Sequence, residues 1–160
     1  MPLYAIIRLR GTVDTRPEVE HTLSLLRLRR RFTASLYHSS LPGLEGMLKT
    51  VESWVTWGEV SRETLVELLR RRGRVVGDKP LTEDYVISKL GLRGGIEELA
   101  DKMLSGEIHY HELKALGVKP FFRLHPPRGG FDRSIKKMYQ QGGELGYRGA
   151  AINELLKRMI

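Results

Sequence analysis

Leu3-Tyr4-Ala5-Ile6-Ile7-Arg8-Leu9-Arg10-Gly11 is the stretch on which the reading of the fold turns. Leu3, Ala5, Ile7 and Leu9 alternate with Tyr4, Ile6, Arg8 and Arg10, the period of a strand with one buried and one wet side. Gly11 ends it. Pro17 suits the first turn of a helix, and Glu18 and Glu20 lie near the positive end of its dipole. Val19, Thr22, Leu23 and Leu26 recur at helical spacing, so residues 17–27 read as an amphipathic helix closed by Arg27, Arg29, Arg30 and Arg31. Phe32, Ala34 and Leu36 then alternate with Thr33, Ser35 and Tyr37 as a second strand. Ser40 is placed to cap a second helix, with Pro42 just inside and Leu44, Met47, Leu48 and Val51 as its apolar stripe. Trp54-Val55-Thr56-Trp57 reads as a third strand stopped by Gly58, and alternation sends its two tryptophans to opposite faces. A β-α-β-α-β order in about 60 residues, with right-handed crossovers, describes a ferredoxin-like sheet with both helices on one face. The other face is then expected to be free for a partner.

Outward from this core the pattern turns helical. Ser61 caps a helix through Leu65, Leu68 and Leu69 that ends in Arg70-Arg71-Arg72-Gly73, with cations at the negative end of the dipole. Thr82 caps a short helix holding Val86, Ile87 and Leu90. Ile96, Leu99, Ala100 and Met103 form a third, closed by Gly106. Phe121 to Leu124 returns as a buried strand. Pro126-Pro127 cannot continue it, because the ring fixes φ and removes the amide donor. Residues 126–149 hold six of the seventeen glycines and read as an irregular basic arm without apolar anchors. Ile152, Leu155, Leu156 and Met159 make a last amphipathic helix. The fold class is therefore α+β. Residues 1–60 form the core. Residues 61–160 form a mostly helical extension, a returning strand and the basic arm, packed on the core as one unit.

The 160 residues carry a net charge of +8 with a pI near 9.9, which points to a polyanionic partner. Residues 1–60 contribute +2, residues 61–118 zero and residues 119–160 +6. Of 27 basic residues 18 are arginine, the side chain that pairs bidentately with phosphate and stacks on bases. There is no cysteine, hence no disulfide framework and no thiolate metal site. No apolar run approaches the roughly 20 residues of a membrane helix, and no signal-peptide pattern precedes the first strand. These features describe a cytoplasmic protein with no membrane association, small-molecule substrate or cofactor.

Several short motifs resemble one family. They are Leu9-Arg10-Gly11, Leu28-Arg29-Arg30, Gly46-Met47 and Gly58-Glu59 followed by Ser61-Arg62-Glu63-Thr64-Leu65. Arg123-Leu124-His125-Pro126-Pro127-Arg128-Gly129-Gly130 is the most specific, and Gly142-Gly143-Glu144-Leu145-Gly146 follows it. In these motifs, nearly end to end, the chain resembles the large-ribosomal-subunit protein L-thirty family in its longer archaeal form. The short bacterial version corresponds to about residues 1–58. The resemblance implies a non-catalytic constituent of the large ribosomal subunit in the cytoplasm, bound to large-subunit ribosomal RNA and beside other ribosomal proteins.

The candidate RNA contacts are Arg8, Arg10, Arg27, Arg29, Arg30, Arg31, Arg123, His125, Arg128, Arg133, Lys136 and Lys137, chosen for charge and position. The arm is expected to order along RNA. Arg70-Arg71-Arg72 serves the helix dipole as readily as it would serve RNA. His109 and His111 invite a metal reading, but their spacing aligns the rings only on a strand, and no third ligand follows. Two other functions fit such a scaffold. One is an RNA-processing enzyme with His109, His111 or His125 as acid or base. The other is a protein-interaction module built on the middle helices.

Overall fold

The computed structural model describes residues 2–160. Strand β1 (Leu3–Arg8) lies antiparallel between β2 (Thr33–His38) and β3 (Val55–Glu59), with Ala5 opposite both Leu36 and Gly58. Helices α1 (Pro17–Leu25) and α2 (Leu44–Val51) cover one face. There Val19, Leu23 and Leu26 meet Leu44, Leu48 and Val51 over Ile6, Tyr37 and Val55. The periodic stripe runs past the end of α1, because Arg27 turns left-handed at φ 65°. Ser40 does not cap α2. Gly43, at φ 81°, takes that place, and the Ser40 hydroxyl lies 2.6 Å from His38 Nδ1. Trp54 precedes β3, so strict alternation does not govern it. Both tryptophans pack against the same apolar cluster.

The second face of the sheet is not free. The extension covers it with α3 (Arg62–Arg72), α4 (Glu83–Lys89), α5 (Gly95–Ser105) and α6 (Ile152–Met159). Leu65, Leu69, Leu99, Met103, Leu155 and Leu156 join Ala5, Ile7, Leu9, Ala34 and Leu36 in one cluster reaching from Leu3 to Ile160. A small hairpin, β4 (Arg74–Val75) with β5 (Lys79–Pro80), and a 3₁₀ helix at Tyr110–Leu116 close its margin. Every residue of β2 is buried. The expected wet side of β1 is the side under α1 and α2, while the extension sits on the apolar side. Ile6 among the wet positions was the sign that both faces are covered. Ser61 and Thr82 cap α3 and α4 by accepting from Thr64 N and Tyr85 N, as read.

Residues 126–149 are structured, contrary to their glycine-rich appearance. After β6 (Phe122–Arg123), which pairs with the edge of β2, come β7 (Ser134–Met138), a 3₁₀ turn at Tyr139–Gln141 and β8 (Gly143–Tyr147). Strand β8 runs parallel beside β3, giving the order β6-β2-β1-β3-β8-β7. Its glycines answer to crowding, since a methyl group on Gly143 would strike the Lys137 backbone. Glu144 and Arg148 are both buried and pair at 2.8 Å. Arg148 Nε donates to Thr56 Oγ1, which donates to the Gly146 carbonyl, both at 2.8 Å. This network joins β8 to β3. The arm also has apolar anchors: Phe131 stacks on Phe32 with centroids 6.2 Å apart, and Leu124 and Met138 pack on the core. Arg158 holds it further by donating to the Arg128 and Gly130 carbonyls and pairing with Asp132.

Two outcomes follow from these burials. Arg148→Met should destabilise the fold by about 3–5 kcal/mol, since Glu144 is left charged and buried. Adding Glu144→Leu should recover most of that loss in urea unfolding; no recovery would deny the pair this role. Burial pushes Tyr37 up to about 12 and pushes Tyr110 up as well. A phenol raised above its ordinary 10 stabilises the fold below pH 10, and the contribution is lost as pH rises toward 12. Phenolate absorbance of the native protein should therefore go on rising well above pH 10, with stability falling as the pH passes from 10 toward 12. A single stage near pH 10 would contradict it.

Candidate nucleic-acid interface

The arginine-rich turn between α1 and β2 is built around Leu28. Its amide donates to the Leu23 carbonyl at 2.8 Å, and its side chain is fully buried. Arg27, Arg29, Arg30 and Arg31 fan out from this plug. Arg31 Nε donates to the Leu9 carbonyl at 3.0 Å, and its guanidinium lies 4.6 Å from the Phe32 ring centre. Because β6 pairs with β2, it brings Arg123 to the same opening, 5.8 Å over the Phe121 ring. The result is an open cleft of about 600 Å³. Its walls carry Arg27, Arg29, Arg30, Arg31, Arg123 and Lys114, with Phe32, Phe121 and Leu124 among the apolar lining. Among the described residues no carboxylate lines it.

Its electrostatics differ from those of the middle section. There Arg62 pairs with Asp101 at 2.7 Å, Arg70 with Glu83 at 3.2 Å, Arg71 with Glu67 at 3.4 Å and Lys102 with Glu107 at 3.0 Å. These four cations of the neutral middle section are thus spent on its own acids. In the cleft, Arg29 and Arg30 are exposed and have no carboxylate partner among the described residues. Arg123 stands 3.6 Å from Asp78, an exposed pair that competes weakly with phosphate. Lys114 escaped the sequence reading because it belongs to the charge-balanced section. Only the 3₁₀ helix at Tyr110–Leu116 carries it to the edge of β2.

The other candidates are dispersed. Arg8 is removed from the interface: it is 0% exposed. It donates to Leu28 O at 2.8 Å and Arg10 O at 2.7 Å, and pairs with Glu20 at 2.8 Å. A strand position that reads as wet lies under α1, and the arginine brings its own partners inside. Arg10 donates to Ser53 O and lies 5.4 Å over the half-buried Trp54. The ring nitrogens of His125 face the Pro126 and Ile160 carbonyls at 2.6 and 2.9 Å. Arg128 remains exposed but donates to the Lys157 carbonyl at 2.8 Å. Both help to hold the start of the arm to α6. Lys136 and Lys137 are exposed on β7, at the opposite edge of the sheet from β6, and Arg133 lies just before it over Tyr139. His109 and His111 have ring centres 5.8 Å apart, and burial lowers the His111 pKa. Among the described residues no group of three histidine or carboxylate side chains is placed to hold a metal.

Comparison with known proteins completes the picture. Residues 4–55, the unit that carries the arginine turn, match the family described as Ribosomal protein L30p/L7e. A protein of Aeropyrum pernix named large ribosomal subunit protein uL30 is 66% identical over the whole of both chains. A protein of the same name from Hyperthermus butylicus is 66% identical over 99% of this chain and 90% of its own length. One from Staphylothermus marinus is 56% identical over 99% and 98%. The matched span takes in the extension and the arm as well as the core, and so the chain belongs to the uL30 family of large ribosomal subunit proteins.

Proposed function

We propose that the chain is a structural constituent of the large ribosomal subunit, not an enzyme, and that it binds and stabilises large-subunit ribosomal RNA. The observation that carries this reading is the cleft, where five arginines and a lysine converge on an opening that, among the described residues, no carboxylate lines. Guanidinium groups grip phosphate oxygens two at a time, and each neutralised phosphate releases condensed counterions. Phe121 and Phe32 beneath the arginines offer rings on which unpaired bases stack. Arg133, Lys136 and Lys137 add a second basic surface at the far edge of the sheet. With five strand spacings between β6 and β7, the two edges are separated by about 24 Å. One chain thereby addresses two RNA segments and sits among other proteins of the subunit in the cytoplasm. The RNA-processing alternative gains nothing from His125, whose ring nitrogens both face backbone carbonyls.

Arg29 and Arg30 provide the test, since both are exposed and form no ion pair among the described residues. Arg29→Ala with Arg30→Ala should leave the melting temperature unchanged. The dependence of log K on log salt for large-subunit RNA should flatten by roughly 1.5, the share of two phosphates. An unchanged slope would remove the cleft from the RNA interface. A chain that sediments apart from the large subunit at low salt would overturn the reading as a whole.

A further inference from the structure

Strand β8 ends on an exposed residue, Tyr147, while Tyr4 and Trp57 beside it are only partly buried against the cluster under α1 and α2. Tyr147 stands beside Trp57 in register, and Tyr4 lies opposite Glu59 on the neighbouring pair of strands. The three rings form a continuous face. Tyr147 is 6.4 Å from Tyr4, edge to face, and 6.3 Å from Trp57. At 40% exposure it is the one aromatic among the large apolar side chains exposed in the described residues. Its hydroxyl donates to Glu59 Oε1, which holds the ring in place and pushes its pKa up to about 12. Glu59 Oε2 has no hydrogen-bond partner among the described residues. Burial raises the Tyr4 phenol, and the charges of Glu59 and Glu45 raise it further, so both carboxylates act on this face. Neither pairs with a cation among the described residues.

This is an unusual neighbourhood for a chain of net charge +8. Aromatic faces are electron-rich, and with an unpaired carboxylate at their rim they attract a cation rather than an anion. A nucleobase could stack on Tyr147, but the phosphates flanking it would meet Glu59 and Glu45. A guanidinium or ammonium group meets both features favourably, stacking on the rings and pairing with the free carboxylate oxygen. We propose that the Tyr4–Trp57–Tyr147 face, with Glu59 at its rim, docks an arginine or lysine side chain from a basic segment of a neighbouring protein in the large subunit. The proposal rests on the reading that the chain is part of that subunit. It assigns protein contact to this face and leaves RNA to the cleft.

The test places a photoreactive group in the assembled subunit through Tyr147→p-benzoylphenylalanine. Its presence in the large-subunit peak is measured first, and absence there would defeat the proposed function and this inference together. On irradiation, a nuclease-resistant cross-link to an arginine- or lysine-rich protein segment is expected. Its yield should fall by roughly fivefold when Glu59→Gln is added. A cross-link to RNA, to a segment without cations, or to nothing would overturn the docking site while leaving the RNA cleft untouched. A second measurement uses the unmodified protein with a short peptide of alternating arginine and glycine. The peptide should bind the wild-type chain despite like net charges, and roughly fivefold more weakly after Glu59→Gln or Tyr147→Leu. Equal binding by all three chains would likewise overturn it.

Discussion

Ile6 and Ile7 are consecutive in β1, point to opposite faces, and are both fully buried. A strand with that property needs a cover on each side. Helices α1 and α2 supply one, over Ile6. The other can come only from the second half of the chain, over Ala5, Ile7 and Leu9. Without it, Leu3, Ala5, Ile7, Leu9, Ala34 and Leu36 would form one exposed apolar patch far larger than a soluble monomer tolerates. The extension is therefore part of the core. Its return past β2 is what sets β6, and with it Arg123, beside the arginine turn.

Within that frame, arginine meets three fates decided by what lies within reach. Arg8 and Arg148 are buried, each with a carboxylate and carbonyl acceptors supplied by the fold. Arg62, Arg70 and Arg71 stay on the surface but spend their charge on nearby acids. Arg29 and Arg30 are exposed and have no acidic partner among the described residues. Gathering like charges around Leu28 works against the compact state, and a polyanion in the cleft would relieve that repulsion. The fold tolerates this placement of charge because Leu28, fully buried beneath the turn, fixes its backbone.

The first 60 residues were readable because their elements obey simple periods: alternation in Leu3–Leu9 and in Phe32–Tyr37, and helical spacing in Val19–Leu26 and Leu44–Val51. The end of the chain was not. Strand β8 reads Gly-Glu-Leu-Gly-Tyr, and each departure from strand composition has a tertiary cause. Gly143 answers to the Lys137 backbone, Glu144 to Arg148, and Gly146, at φ 81°, to the Met138 side chain. Charge alone could not separate Arg8 from Arg29, since burial depends on which helix crosses above. It could not find Lys114 either, which enters the cleft through a contact formed far along the chain. Short-range pattern reveals elements; long-range packing decides which charged groups remain outside.

The insertion of β8 between β3 and β7 ties these surfaces to one another. Its buried Glu144 pairs with Arg148, and Arg148 reaches Thr56 of β3, so the strand is locked on the side facing the sheet centre. On the other side Glu144 Oε2 accepts the Arg133 amide, which positions the entry to β7 and the lysines that follow. At its end the same strand delivers Tyr147 to Trp57 and Glu59. A single carboxylate thus sets the outer basic edge and the aromatic face together. Loosening it would move both at once, whereas the arginine cleft, fixed by Leu28 and β6 at the opposite edge, would keep its shape. Damage to the Glu144 network should therefore separate the two edges of the molecule in function before it unfolds the sheet between them.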